Sequence, residues 1–286
     1  NLLITGSSGF IGSYCAKNFL KEKYNIFCIS SKKSNDIDNK NFLKKTYNKK
    51  ILGAFLKKNK INYVLLSHGS INHSEKFDNL FKDHFLFTKL VIENLDRRYL
   101  KKIIFLSSGD EYGFVKKLPI NEDIVCRPLT NYALVKHITT NFLLYYFNDS
   151  NISIIVLRLF LIYGENQKIP RLLPLIKNNI KKKRILYVNS LSQKKDFCHI
   201  SDLHNCLVKI FSSKKLIRDI YNFGSGHRLN IHQVIKIVEK KMNKKLIVKK
   251  IKSKKIKNSF SFYPRTLKLN KNFRFKNFQK MSTNLI

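Results

Sequence analysis

Three glycines at three-residue spacing interrupt an apolar opening, "LLITGSSGFIG" over residues 2–12, and no other stretch limits so strongly what the chain can fold into. An apolar run ending at Thr5, then Gly6-x-x-Gly9-x-x-Gly12, then helical apolar spacing from about Ile11 to Leu20 reads as strand, turn and helix. Gly6 permits the tight turn, Gly9 lets a pyrophosphate approach the backbone, and Gly12 lets the helix lie close to the strand. The free N–H groups and positive dipole end of the helix then face the phosphates. The spacing predicts a dinucleotide site formed by Gly6, Gly9, Phe10, Ile11 and Gly12.

Beyond this opening the two element types alternate. Strands are expected in "YNIFCIS", "NYVLLSH", "KKIIFLSS" and "SIIVLRLFLIY". Helices are expected ahead of "NYVLLSH", from about Lys82 to Leu95, and through "TNYALVKHITTNFLLYYF". Such alternation predicts an α/β fold around a doubly wound parallel sheet. Beyond Pro170 the rhythm is less regular, with helices expected in "PRLLPLIKNNI" and "IHQVIKIVEKKM" and short strands in "ILYV" and "IYNFG".

Composition narrows the classes. At 286 residues, 43% of them hydrophobic, the chain can bury a full core. Five cysteines without a C-x-x-C pair fit neither a disulfide framework nor a zinc cluster, which predicts a reducing, cytoplasmic setting. The longest apolar run, "ISIIVLRLFLIYG", contains Arg158 and falls short of the about 20 residues that a membrane span requires. No basic segment leading into an apolar stretch and a cleavage site is legible at the start. The net charge of +38 invites a nucleic-acid reading, but 46 of the 56 basic residues are lysines scattered over the whole length, densest at Lys181–Arg184 and Lys244–Lys257. With Trp absent and Asn, Ile, Phe and Tyr abundant, that pattern reads as the codon bias of an AT-rich genome. A nucleic-acid partner is therefore not expected, although the charge helps recruit an anionic substrate.

The second strand ends "CISSKKS", where an NAD site would carry an acid for the ribose 2′-hydroxyl. Ser30, Ser31 and Lys32, followed by Lys33, suit a 2′-phosphate instead, so NADP is preferred over NAD. Tyr132 and Lys136 stand at i and i+4 on one helix face. An ammonium beside a phenol favours the phenolate, which makes Tyr132 a candidate for moving a proton to or from a sugar hydroxyl. Ser108 ends a buried strand at the sheet's carboxyl edge, where it can either hydrogen-bond the same oxygen or cap a turn.

The order of motifs, Gly6-x-x-Gly9-x-x-Gly12, "SSGDEYG", Tyr132-x-x-x-Lys136, "LRLFLIYGENQ", "KKDFCHISD" and "YNFGSG", resembles the extended short-chain dehydrogenase/reductase family of nucleotide-sugar epimerases, dehydratases and ketoreductases, from residue 2 to about 275. The resemblance implies a Rossmann domain, expected over residues 1–165. It also implies a lobe mainly binding a nucleoside-diphosphate sugar, expected over 166–286 and interleaved with the main sheet. It assigns Ser108, Tyr132 and Lys136 to catalysis, with Lys136 also on the nicotinamide ribose. Gly69, in "LLSHGSINHS", falls where the family passes its backbone beside the cofactor, whereas neighbouring His68 is as readily structural as functional. Lys195 takes the place of the diphosphate-binding arginine in the family's "RDF" motif, and Arg265 in "YPRTLKL" resembles its C-terminal arginine. Asp196, His199 and Asp202 are expected to serve structural hydrogen bonding rather than a metal.

Departures from the family pattern shape the expected reaction. Gly109 pushes Asp110 and Glu111 one position beyond the dehydratase acid pair, arguing against 4,6-dehydration. Leu161 replaces a substrate-binding asparagine, and His84 an asparagine near the cofactor. The expectation is NADPH-dependent reduction of a 4-keto-6-deoxy sugar nucleotide. The alternatives are a 4-epimerase with bound NAD and, in another class, a non-catalytic dinucleotide-binding protein. Members commonly form homodimers through paired helices.

Overall fold

The computed structural model describes residues 1–33, 38–251, 261–275, 278 and 281, and of Asn39 only the backbone. Residues 252–257 of the lysine-rich tract lie outside the described residues. The first elements are β1 (Leu2–Thr5), α1 (Phe10–Lys21), β2 (Ile26–Ser30), β3 (Phe42–Lys44), α2 (Lys49–Lys58), β4 (Tyr63–Leu66), α3 (Phe77–Phe81), α4 (Phe87–Glu93), β5 (Lys102–Ser108), α5 (Asn131–Tyr146) and β6 (Ser153–Leu159). They are followed by β7 (Leu161–Tyr163), α6 (Leu172–Lys181), β8 (Leu186–Val188), β9 (Lys194–His199), α7 (Ile200–Ser212), β10 (Arg218–Phe223), β11 (Arg228–Asn230), α8 (Ile231–Met242), β12 (Val248–Lys250) and α9 (Leu267–Phe273).

Strands that read as unbroken apolar runs need cover on both faces, and they form a seven-stranded sheet in the order β10-β6-β5-β4-β1-β2-β3. Leu3 lies opposite Phe27 on one side and Val64 on the other, both in parallel register, and Leu106 of β5 pairs with Leu157 of β6. The chain begins in mid-sheet, winds out through β2 and β3, and returns past β1 to β4, β5 and β6. In open α/β sheets such a reversal marks where ligands bind, here the carboxyl ends of β1 and β4.

Two expectations need correction. The helix read as 82–95 starts at Phe77 and ends at Glu93, because a wider π turn over Lys82–Leu86 joins α3 to α4. A 3.6-residue period cannot reveal such an inserted residue. The stretch "SIIVLRLFLIY", read as one strand, is two: β6 belongs to the large sheet and β7 to a separate three-stranded one.

The chain divides into two compact units. The first comprises Asn1–Phe114, Glu122–Leu159 and Cys206–Tyr221. Its core sets Leu3, Val64, Ile103, Phe105 and Val156 of the sheet against Leu52 and Leu56 of α2, Val91 of α4 and Leu143 of α5. The second comprises Val115–Asn121, Phe160–Asn205 and Asn222–Ile286. There β9 runs parallel to β7 and antiparallel to β11, and β8 pairs with β12. Leu173 and Ile176 of α6 pack with Val234, Ile235 and Val238 of α8. A capping box, Asn230 with Gln233, sets where α8 begins. Among the described residues no helix is long and apolar enough to cross a membrane.

Candidate active site

At the carboxyl end of β1 the chain turns on Gly6, whose φ of +71° lies in the left-handed region. The Gly6 N–H donates to the Ile29 carbonyl at 2.7 Å, and the Gly9 N–H to the Gly6 carbonyl at 2.9 Å. A Cβ on Gly12 would collide with the Gly6 backbone, so α1 lies hard against the turn. Gly9 provides no side chain to cap α1, and the first turn, Phe10, Ile11 and Gly12 included, carries no acid. A helix start without side-chain cap or acid suits an anionic group, and these residues fit a dinucleotide's pyrophosphate.

At the end of β2, Ser30 is 2% exposed and bonded on both sides: it accepts from the Ser7 hydroxyl and donates to the Lys32 carbonyl. Ser31 and Lys32 are exposed, and the Ser31 hydroxyl lies 3.5 Å from that of Ser8. Beyond β4, Gly69 has φ +105°, and the His84 ring fills the space its Cβ would need. His68 pins elements together, with Nδ1 2.6 Å from Thr5 Oγ1 and Nε2 3.1 Å from Thr88 Oγ1. Burial, reinforced by His84, holds its pKa well below the usual imidazole value.

Thr130 caps α5 by accepting the Ala133 N–H at 3.1 Å, which places Tyr132 in the first turn and Lys136 in the next. Both are buried, at 8% and 4% exposure. Lys136 Nζ donates to the Leu106 carbonyl at 2.8 Å and lies 4.7 Å from the Phe105 ring centre and 5.9 Å from that of Tyr132. Burial pulls the ammonium down to about 7, against the opposing attraction of Glu111. Ser108 behaves as a turn cap: its Oγ accepts the Asp110 N–H at 3.2 Å and donates to Asp110 Oδ2 at 3.1 Å. His73 neighbours both sides, 4.7 Å from the Tyr132 ring between centres and 3.8 Å from Asp110 Oδ2. The His84 ring stands edge-on to Tyr132 at 5.6 Å. Its Nε2–H donates to the Ser70 carbonyl at 2.8 Å, which leaves Nδ1 buried without a hydrogen-bond partner among the described residues. Burial, then the Lys136 charge, lower this imidazole to about 3.

The sequence reading missed the network around Glu111, treating that residue only as half of a displaced acid pair. Glu111 is fully buried and accepts from Arg158 Nη2 at 3.0 Å, His137 Nδ1 at 3.1 Å, Thr140 Oγ1 at 3.1 Å and Ser107 Oγ. Burial alone raises a carboxyl pKa, but His137, Arg158 and Ser107 outweigh it and hold this one below the usual range. The signal was present: a lone Arg158 inside the apolar run "IIVLRLF" demands a buried counter-charge.

In the second unit, Lys195 of β9 is partly buried with Nζ 5.4 Å over the Phe262 ring. Arg265 is exposed, and its backbone N–H donates to the Ile120 carbonyl at 2.8 Å. Asp196 accepts from the Ser225 N–H, the Ser225 hydroxyl and the Gly226 N–H at 2.7–2.9 Å, which ties β9 to the "NFGSG" turn. His199 Nδ1 lies 2.7 Å from the Ser201 hydroxyl.

The family model described as "NAD dependent epimerase/dehydratase family" matches residues 2–224. The chain is similar to dTDP-4-dehydro-6-deoxyglucose reductase of Escherichia coli, at 27% identity over 86% of this chain and 83% of the relative. It is also similar to UDP-glucose 4-epimerase of Pisum sativum, at 24% identity over 87% and 83%. Among solved structures, MoeE5 in complex with UDP-glucuronic acid and NAD shares the fold, with a TM-score of 0.87 at 19% identity over 100% of this chain and 96% of that one. With a family model spanning most of its length, the chain belongs to the NAD-dependent epimerase/dehydratase family.

Proposed function

We propose that the chain transfers hydride between a nicotinamide dinucleotide and C4 of a nucleoside-diphosphate sugar, working as an NADPH-dependent reductase of a 4-keto-6-deoxy sugar nucleotide. The observation that sets dehydration aside is the burial of Glu111 against Arg158. With Glu111 ion-paired and Asp110 engaged by Ser108, no free acid pair stands beside the catalytic serine for dehydration. Similarity to the Escherichia coli reductase supports the same substrate class.

In this reading the Gly6–Gly12 turn and the start of α1 hold the pyrophosphate, and Ser31 and Lys32 meet the 2′-phosphate, with Ser30 bracing them from beneath. Gly69 lets the chain pass beside the cofactor. Lys136 holds the nicotinamide ribose and keeps the nearby phenol easily ionised. Ser108 turns its hydroxyl from Asp110 to the substrate's carbonyl oxygen. Tyr132 donates the proton that completes the alcohol. When bound, the nicotinamide ring supplies the hydride. Lys195 and Arg265 meet the diphosphate. All five cysteines are free thiols, which supports a cytoplasmic setting.

A second reading, a 4-epimerase that retains NAD, is supported by the similarity to the Pisum sativum enzyme. Incubating purified chain with a 4-keto-6-deoxy sugar nucleotide and NADPH tests the choice. Net oxidation of the cofactor is the expected result, and C4 inversion of a UDP-hexose without net turnover would overturn it.

A further inference from the structure

Lys136 carries its charge where a charge is hard to keep. It is 4% exposed, donates to the Leu106 carbonyl, and lies over the Phe105 and Tyr132 rings. His68, just beyond β4, and His84, in the middle of the π turn, both interact electrostatically with it and are held neutral by burial. A buried ammonium so placed loses its proton unless a counter-charge stands close.

Glu111 is that counter-charge. Thr140, one turn beyond Lys136 on the same face of α5, donates to Glu111 Oε1 at 3.1 Å. Ser107, next in the chain to the Leu106 carbonyl that Lys136 grips, donates to the same oxygen. The other oxygen accepts from Arg158 of β6 and His137 of α5. Tyr112 and Cys126 complete the titratable surroundings through their interaction with Arg158. Glu111, Cys126 and His137 also bring three potential metal ligands within 4.8 Å of one another. Arg158 already occupies that carboxylate, so the cluster serves electrostatics rather than a cation.

We propose that Glu111 is a positioning residue of the hydride-transfer site: its clamped carboxylate keeps Lys136 an ammonium, so that the phenol and the cofactor ribose meet a charged partner near neutral pH. The inference rests on the reading of Lys136 as the residue that holds the ribose. It concerns a residue that departs from the family's acid-pair spacing and is fully buried.

The test measures NADPH binding by fluorescence from about pH 6 to 10 in the wild type, E111Q, E111D and the double variant E111M/R158M. Affinity falls with rising pH as Lys136 deprotonates. In E111Q that fall should move at least one pH unit toward acid, about ten-fold weaker binding on the alkaline side, because each unit is a factor of ten in ammonium population. E111D, which keeps the charge, should recover part of the loss. Replacing a buried ion pair by apolar residues often preserves stability, so E111M/R158M covers the case in which E111Q fails to fold. Its profile should be acid-shifted like that of E111Q, whereas a merely structural Glu111 predicts a wild-type profile. Wild-type pH dependence in E111Q or in the double variant overturns the inference. Hydride transfer is assayed separately, so a wild type that binds NADPH but reduces no keto sugar would sink the reductase reading without deciding the role of Glu111.

Discussion

The β5–α5 region and the β9 region each set a lysine over an aromatic ring, under opposite conditions. Lys136 is buried, holds one carbonyl at 2.8 Å and has its pKa pulled down to about 7. Lys195 is partly exposed and rests over the Phe262 ring. In the first case every neighbour is set: Thr130 starts the helix, Leu106 accepts the hydrogen bond and Glu111 attracts the charge. In the second, water screens the charge and little depends on geometry.

Several variants separate these two regimes, and the largest effect belongs to the buried one. Tyr132→Phe should lower turnover by about 10²- to 10⁴-fold, the usual weight of a positioned acid or base, with cofactor affinity nearly unchanged. Turnover near wild type would break the contrast at its strongest point. Next comes Gly12→Val, which forces α1 away from the Gly6 backbone. It should reduce stability by about 1–3 kcal/mol and abolish any rise in melting temperature that the wild type shows with added dinucleotide.

A third, smaller effect is acid lability centred on His84. Its folded pKa, about 3, lies below the unfolded value, so the unfolded chain binds more protons in acid. Its contribution is complete above about pH 6.5 and is lost as pH falls toward 3, roughly 2 kcal/mol by pH 5. Urea midpoints measured between those limits should fall less steeply in His84→Asn. The exposed regime gives the mildest outcomes. Lys195→Ala should raise KM about two- to five-fold at unchanged kcat, and Arg265→Ala no more than about two-fold, the scale of partly exposed ion pairs. A large kcat loss in either would show that the β9 region is as tightly organised as α5.

Legibility in the sequence divides along the same line. Local patterns, with Gly6, Gly9 and Gly12 after an apolar run or Tyr132 and Lys136 one turn apart, carry their structure in short-range spacing. So did β1, β2, β4 and β5, whose burial on both faces leaves continuous apolar runs. Features set by long-range pairing stayed hidden. The switch of sheets between β6 and β7 leaves no mark on hydropathy. The π turn that turns His84 inward breaks the period used to find helices. Glu111 and Arg158 lie 47 residues apart, so their pairing was visible only as an unexplained charge within an apolar strand. Ser30 pointed correctly to the end of β2, but the inward bonds of its hydroxyl depend on Ser7, which only the fold brings beside it.

The claim at the centre is that the buried phenol and ammonium of α5 complete a net reduction. Mixing purified chain with dTDP-4-keto-6-deoxyglucose and one equivalent of NADPH, and recording nicotinamide absorbance together with the sugar product, tests it most directly. The account predicts stoichiometric loss of NADPH with formation of the 4-hydroxy sugar, absent in Tyr132→Phe. Unchanged NADPH, alongside interconversion of UDP-glucose and UDP-galactose by the same preparation, would contradict it.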